Sequence, residues 1–198
     1  MKKFLFKNKK AFTLIELLVV ISVIGILAAL SFPALNSAIK RGQMTKTLSN
    51  QRQIQLATQT MTLEYATQSS GSYWTYKDGV VMTLTEFTDE LIVGQYLTQR
   101  DATILFSAPE VPATIPASSE DSIAYKIFAV NNNTPNSTPF LITKNWENGQ
   151  LSKEAVPYGN FGFVYTKKDG SSAIGTATQA GNEDILGAAI SDLPPTLQ

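Results

Sequence analysis

One carboxylate stands alone in an apolar run. Between Phe12 and Phe32 the only ionisable side chain is Glu16, and Leu17 through Leu30 offers only Ser22 as a polar group. These 21 residues would span about 31 Å as a helix, which matches the hydrocarbon core of a bilayer. A lone ionised side chain in lipid costs roughly 2.5–3.5 kcal/mol, and an anchor has no need of it. Cutting the chain between Ala11 and Phe12 would create a cationic amine one helical turn from Glu16. Two such chains, packed side by side with an axial stagger, could pair the amine of one with the carboxylate of the next. A buried ion pair adds little stability but sets register, because a mispaired charge is expensive. The alternative is a protonated or snorkelling Glu16 close to the cytoplasmic face. Physics alone leaves both open.

The residues before the run are basic. Lys2, Lys3, Lys7, Lys9 and Lys10 precede Phe12, which orients the helix with its N-terminus in the cytoplasm. The whole chain has 16 cations and 16 anions; without those five lysines it has 11 against 16, a net −5. That is the wrong sign for a nucleic-acid surface, and none is expected as a partner. An ordinary secretory signal with a cut after Ala28, Ala29 or Ala38 competes, but the apolar run is too long and Glu16 would be unexplained. The chain contains neither cysteine nor histidine. Disulfides, the commonest zinc sites and every Ser-His or Cys-His nucleophile are therefore excluded. A membrane-anchored periplasmic enzyme would need paired carboxylates or a Ser-Lys pair, and no motif for either is present.

Lys10 through Leu30 resembles the class III signal and first helix of type IV pilins and of type II secretion pseudopilins. The pattern is a basic leader, a small residue, an apolar or aromatic residue, Ser/Thr, two apolar residues, Glu, then an unbroken apolar run. Phe12, Thr13, Leu14, Ile15 and Glu16 fit it throughout; Ala11 departs from the usual Gly. The resemblance implies cleavage by a prepilin peptidase between Ala11 and Phe12, N-methylation of Phe12, and pairing of Glu16 with the Phe12 amine of a neighbour. It implies a filament of this chain with other pilins or pseudopilins, and an inner-membrane assembly platform as a further partner. It places the precursor in the bacterial inner membrane as a single pass, with the head periplasmic. Gly25 and Pro33 match positions that bracket a segment able to unwind in filaments. A minor pilin, whose head binds a ligand or caps the filament, is the second reading; the loops 109–122 and 131–139 motivate it.

The elements that must position these residues follow from periodicity. The expected fold is α+β and pilin-like: leader 1–11, membrane helix 12–34, an amphipathic continuation 35–70, and an α+β head 71–198. Ile54, Ala57, Met61 and Tyr65 recur at helical spacing and read as a stripe buried under the head, while Ser49 to Gln53 is wholly polar. Ser69 to Ser72 ends the helix. A turn is expected at Asp78-Gly79, and a short amphipathic helix over 84–97 with Leu84, Phe87 and Leu91 inward. Ile104 to Phe106 reads as a short buried piece stopped by Pro109. Strands are expected around Ile123, Tyr125 and Ile127, around Phe140 and Ile142, and around Phe161, Phe163 and Tyr165. The last pairs through a Lys168–Ser171 turn with Ala173 and Ile174. The tail from Thr178 reads as loop with a helical turn at 185–190.

Three further features of the sequence have plain readings. The row Phe161, Phe163 and Tyr165 reads as core laid against the long helix rather than a stacking platform. Lys167-Lys168 reads as a solvated turn. Asn182, Glu183 and Asp184 offer oxygen ligands of the kind calcium takes, without the spacing of a ligand loop; no other cofactor is expected.

Overall fold

The apolar run forms the first part of one long helix. The computed structural model describes residues 12–68 and 73–198, and α1 spans Leu14–Gln68. Thr13 starts the helix and Glu16 bonds back to it, so the first turn is capped. Helical geometry continues through Gly25 and Pro33 without interruption. Pro33 offers no amide to the Ala29 carbonyl. Ser31 and Ser37 add hydroxyl bonds of 2.8 and 3.2 Å to the carbonyls of Leu27 and Pro33. The chain divides into one unit ending at Lys40 and a second, Arg41–Gln198. In the first, every described residue is exposed. Among the described residues α1 is the one helix long and apolar enough to cross a membrane.

The second unit is built on an antiparallel sheet of order β3-β4-β7-β8: Tyr125–Ile127, Pro139–Thr143, Phe163–Lys167 and Ser172–Gly175. The hairpin β1 Tyr76–Lys77 and β2 Val80–Val81 turns at Asp78-Gly79 as expected. The expected short helix is α2, Leu84–Val93, opened by a Thr83/Glu86 capping box, with Leu84, Phe87 and Leu91 buried. A further hairpin, β5 Trp146–Glu147 and β6 Gln150–Leu151, turns on Asn148 and Gly149, both at positive φ. Such a turn favours Asn-Gly.

The distal part of α1 is seated on the sheet largely by polar side chains. Gln51 is fully buried. Its amide donates to the Val164 carbonyl at 3.3 Å and its oxygen accepts the Thr166 hydroxyl at 3.0 Å. Gln55 donates to the Lys168 carbonyl at 2.9 Å, and the Thr47 and Tyr158 hydroxyls are 2.7 Å apart. Fully buried polar groups must be paired, and these are. Ile54 and Met61 complete the buried stripe in the main core.

Phe163 and Tyr165 are core as expected, in one cluster with Ile54 and Met61 of α1, but the strand face that meets the glutamines of α1 is the other one. Thr166 turns its side chain to α1, and strands alternate, so Val164 shares that face while Phe163 and Tyr165 lie on the other. Those two rings stack at 5.7 Å, and Phe161 packs separately beside Met44 and Tyr158.

Three other expectations are revised. Ile104 to Phe106 is no isolated buried piece: α3 runs Gln99–Leu105, capped by Thr98, and leaves Ile104 half-exposed. The tail helix α4 is Glu183–Leu186, earlier than expected, because Asn182 caps its start and Gly187, at φ 81°, ends it. The segment after it is an ordered edge rather than a free loop. Amides of Ala129 and Leu197 bond the carbonyls of Pro195 and Ile127 at 2.8 Å, which covers the outer side of β3.

Candidate assembly site

The N-terminal site is small: Phe12, Thr13, Ile15, Glu16, Val19 and Val20. Helical spacing puts Phe12, Ile15, Glu16, Val19 and Val20 around one shallow hollow of about 410 Å³. Glu16 Oε2 accepts the Thr13 amide at 2.8 Å and the Thr13 hydroxyl at 2.9 Å, while the Glu16 amide donates to Thr13 Oγ1 at 3.2 Å. The carboxylate therefore already caps the first turn in a single chain, where a negative charge also suits the helix dipole. That role was missed in the sequence, although Thr-x-x-Glu ahead of an apolar run is its signature. Both bonds to the carboxylate end on Oε2. Phe12 is 73% exposed and lies beside this group. Ala11 lies outside the described residues.

Around the site the helix is apolar on every side. Leu14, Leu30 and Phe32 are all more than 60% exposed, and no described residue up to Lys40 is buried. A helix apolar all round belongs in lipid or among other such helices. Gly25 has open space at its missing side chain, and neither it nor Pro33 touches the hollow.

The remaining candidates serve the head. Asn182 Oδ1 accepts the amides of Asp184 and Ile185 at 2.9 and 3.3 Å, and Glu183 Oε1 accepts the Ile190 amide at 3.3 Å. Among the described residues no three His, Cys, Asp or Glu side chains gather as a metal site would need. Lys168 is not solvated. It is 5% exposed, donates to the carbonyls of Asn132 and Thr134 at 3.2 and 2.6 Å, and lies 5.6 Å from the Trp74 ring centre. Burial pushes its ammonium below the ordinary lysine range. It ties the 131–139 loop to the sheet. The 109–122 loop is pinned as well, through buried Val111, Ala113, Ile115 and Ala117.

At the far end of α1, Tyr65 donates to Glu90 and Tyr96 donates to Glu64 at 2.8 Å. The Glu90 bond lifts Tyr65 to about 12. Desolvation, then the Glu64 bond, lifts Tyr96 to about 12.

Residues 6–32 match the family model described as the prokaryotic N-terminal methylation motif. The chain is similar to the type IV major fimbrial protein FimA of Dichelobacter nodosus, 41% identical over 56 residues, which are 28% of this chain and 36% of that protein. It is 40% identical over 58 residues to a fimbrial protein of Pseudomonas aeruginosa, covering 29% of this chain and 38% of that one. Fimbrial protein EcpC of Eikenella corrodens shares 53% identity over 38 residues, 19% of this chain and 25% of its own length. The chain thus spans between a quarter and little more than a third of the length of these relatives. No solved structure matches the chain.

Proposed function

We propose, from an N-terminal segment that is of the type IV pilin family, that this chain is a structural subunit of a type IV pilus or a type II secretion pseudopilus. The observation that carries the reading is a membrane-length helix, bare on all sides, whose one charge sits in its first turn beside Phe12. A prepilin peptidase on the inner membrane trims the precursor between Ala11 and Phe12, and the new amine is methylated. The subunit waits in the inner membrane, N-terminus cytoplasmic and head periplasmic. An assembly platform then moves it from lipid into a bundle of identical helices. The transfer is feasible because apolar surface leaves lipid for other apolar surface. Polar mismatches decide the order of packing: Glu16 of one subunit meets the Phe12 amine of the next, which fixes the stagger. Gly25 and Pro33, continuous helix in the single chain, are where the packed helix can loosen.

This is a structural role and not a catalytic one. The test is a mass measurement on chains from membranes and from sheared filaments. The expected species begins at Phe12 and is one methyl group heavier than the plain amine. A filament-borne chain that retains Lys2 to Ala11 refutes the proposal.

A further inference from the structure

The distal part of α1 carries a face that its own head leaves uncovered. Thr47, Gln51, Ile54, Thr58 and Met61 are buried, while Leu56 and Leu63 are 61% and 62% exposed. Seven residues apart, these leucines stand on one side of the helix, where a surface helix ordinarily presents polar groups. Two hollows open along this stretch of α1, the second of them lined by Leu56. One, of about 450 Å³, lies between Gln43, Lys46 and Asn50 and the stretch from Thr103 to Pro109. The other, of about 390 Å³, lies between Leu56 and Thr60 and the turn Gln95 to Leu97. As α1 advances from Gln43 to Thr60 the opposite wall retreats from Pro109 to Gln95.

From Arg41 to Leu63 the charge on α1 is of one sign, and the first carboxylate after it is Glu64. Arg41, Lys46 and Arg52 are exposed, and no Asp or Glu occurs between Arg41 and Leu63. Among the described residues the ion pairs are Lys77–Glu90, Lys126–Glu147 and Lys144–Asp121, so none of these three cations has a carboxylate partner. The opposite sign collects at the other end of the sequence. After Lys168 there is no cation, and Asp169, Glu183, Asp184 and Asp192 are all exposed.

We infer that this cationic, leucine-bearing face of α1 docks on the acidic C-terminal segment of a second copy of this chain. The inference rests on the assembly reading, because staggered copies bring one subunit's α1 alongside another's head. The leucines supply apolar area, and the charges set orientation and reject a copy in the wrong register. It adds a second, water-exposed contact to the one at Glu16.

The test uses the full chain in cells that assemble it. Arg41→Glu with Lys46→Glu and Arg52→Glu should lower filament yield at least about ten-fold with the membrane pool unchanged, since like charges then face each other. Adding Glu183→Lys, Asp184→Lys and Asp192→Lys to that variant should restore the yield to within about three-fold, as coupled sites do. Because the chain has no cysteine, Leu56→Cys with Asp192→Cys gives a background-free check: oxidised filaments should yield covalent ladders that neither single variant yields. Unchanged yield on reversal, no recovery in the combined variant, or no ladder overturns the inference while leaving the filament reading intact. So does a reversal that abolishes binding to phosphatidylglycerol vesicles but spares filaments, which would assign the face to anionic lipid. A wild-type chain that forms no filament refutes the parent reading, and this one with it.

Discussion

Glu16→Gln separates the cap that this side chain makes from the pairing proposed for it. In the single chain, Oε2 accepts bonds of 2.8 and 2.9 Å from the amide and hydroxyl of Thr13. A glutamine oxygen can accept the same two, so the cap survives; Glu16→Ala removes it. Losing such a cap costs about 1 kcal/mol, or about five-fold in an equilibrium constant. In the proposed filament, either variant would leave the Phe12 amine of the neighbour without a counter-charge in apolar surroundings. That costs roughly 2.5–3.5 kcal/mol, which weakens the contact about 60- to 300-fold at about 1.4 kcal/mol per decade. The pairing is the larger effect by more than a factor of ten. Filament yield should therefore collapse in both variants, and the glutamine should not rescue it. The assay compares chain in sheared filaments with chain in the carbonate-resistant membrane fraction, which should stay at the wild-type level. Wild-type filaments from Glu16→Gln, with loss confined to Glu16→Ala, would show that the carboxylate only caps the helix.

Three other perturbations test neighbouring parts of the account. Ala11→Gly should speed the proposed trimming in a pulse–chase experiment, because the smaller residue is the usual one before the cut in the pilins that this N-terminus resembles; an unchanged rate would show that Ala11 is not limiting. Gly175→Ala would place a methyl 2.3 and 2.4 Å from two ring carbons of fully buried Phe163. Overpacking of that kind costs about 1–3 kcal/mol, so the unfolding midpoint followed by Trp74 and Trp146 fluorescence should fall by roughly 2–10 °C; no change would mean that the strand shifts to make room. Tyr65 and Tyr96, lifted to about 12, hold their protons more tightly folded than unfolded. Their contribution to stability is present below the unfolded tyrosine value and is lost as pH climbs from about 10 through that raised value. Lys168, lowered by burial, works the other way, with its penalty relieved as pH rises through its lowered value. Glu90→Gln should bring the Tyr65 phenolate absorbance to lower pH, and a titration curve that stays in place would remove Glu90 as the cause.

The part of the molecule that could be read from sequence is the part dictated by one solvent. From Phe12 to Phe32 the run is apolar and long enough for a hydrocarbon environment, so composition alone defines the helix and makes Glu16 conspicuous. The head answers to pairings between distant residues, and there composition misleads. Ser49 to Gln53 is polar throughout, yet Asn50 and Gln51 are buried, because Val164 and Thr166, more than a hundred positions away, offer Gln51 an acceptor and a donor. A glutamine that will meet such partners looks like one that will meet water. Lys168 sits in a turn, where lysines are solvated, and is buried because two loop carbonyls and the Trp74 ring enclose it. The aromatic alternation of Phe163 and Tyr165 identified a strand but not which face α1 would take. That choice went to the residues between them, whose smaller side chains admit a helix bearing its own glutamines. The same logic explains what the sequence hid on the far side of α1. Arg52, Leu56 and Leu63 look like ordinary members of a helical period until the buried glutamines and threonines show that the head already lies on the opposite face. With the head on the face of Gln51, Ile54 and Met61, Leu56 and Leu63 are left uncovered among cations in the single chain, and the proposed second copy would cover the leucines and match the sign of the charge.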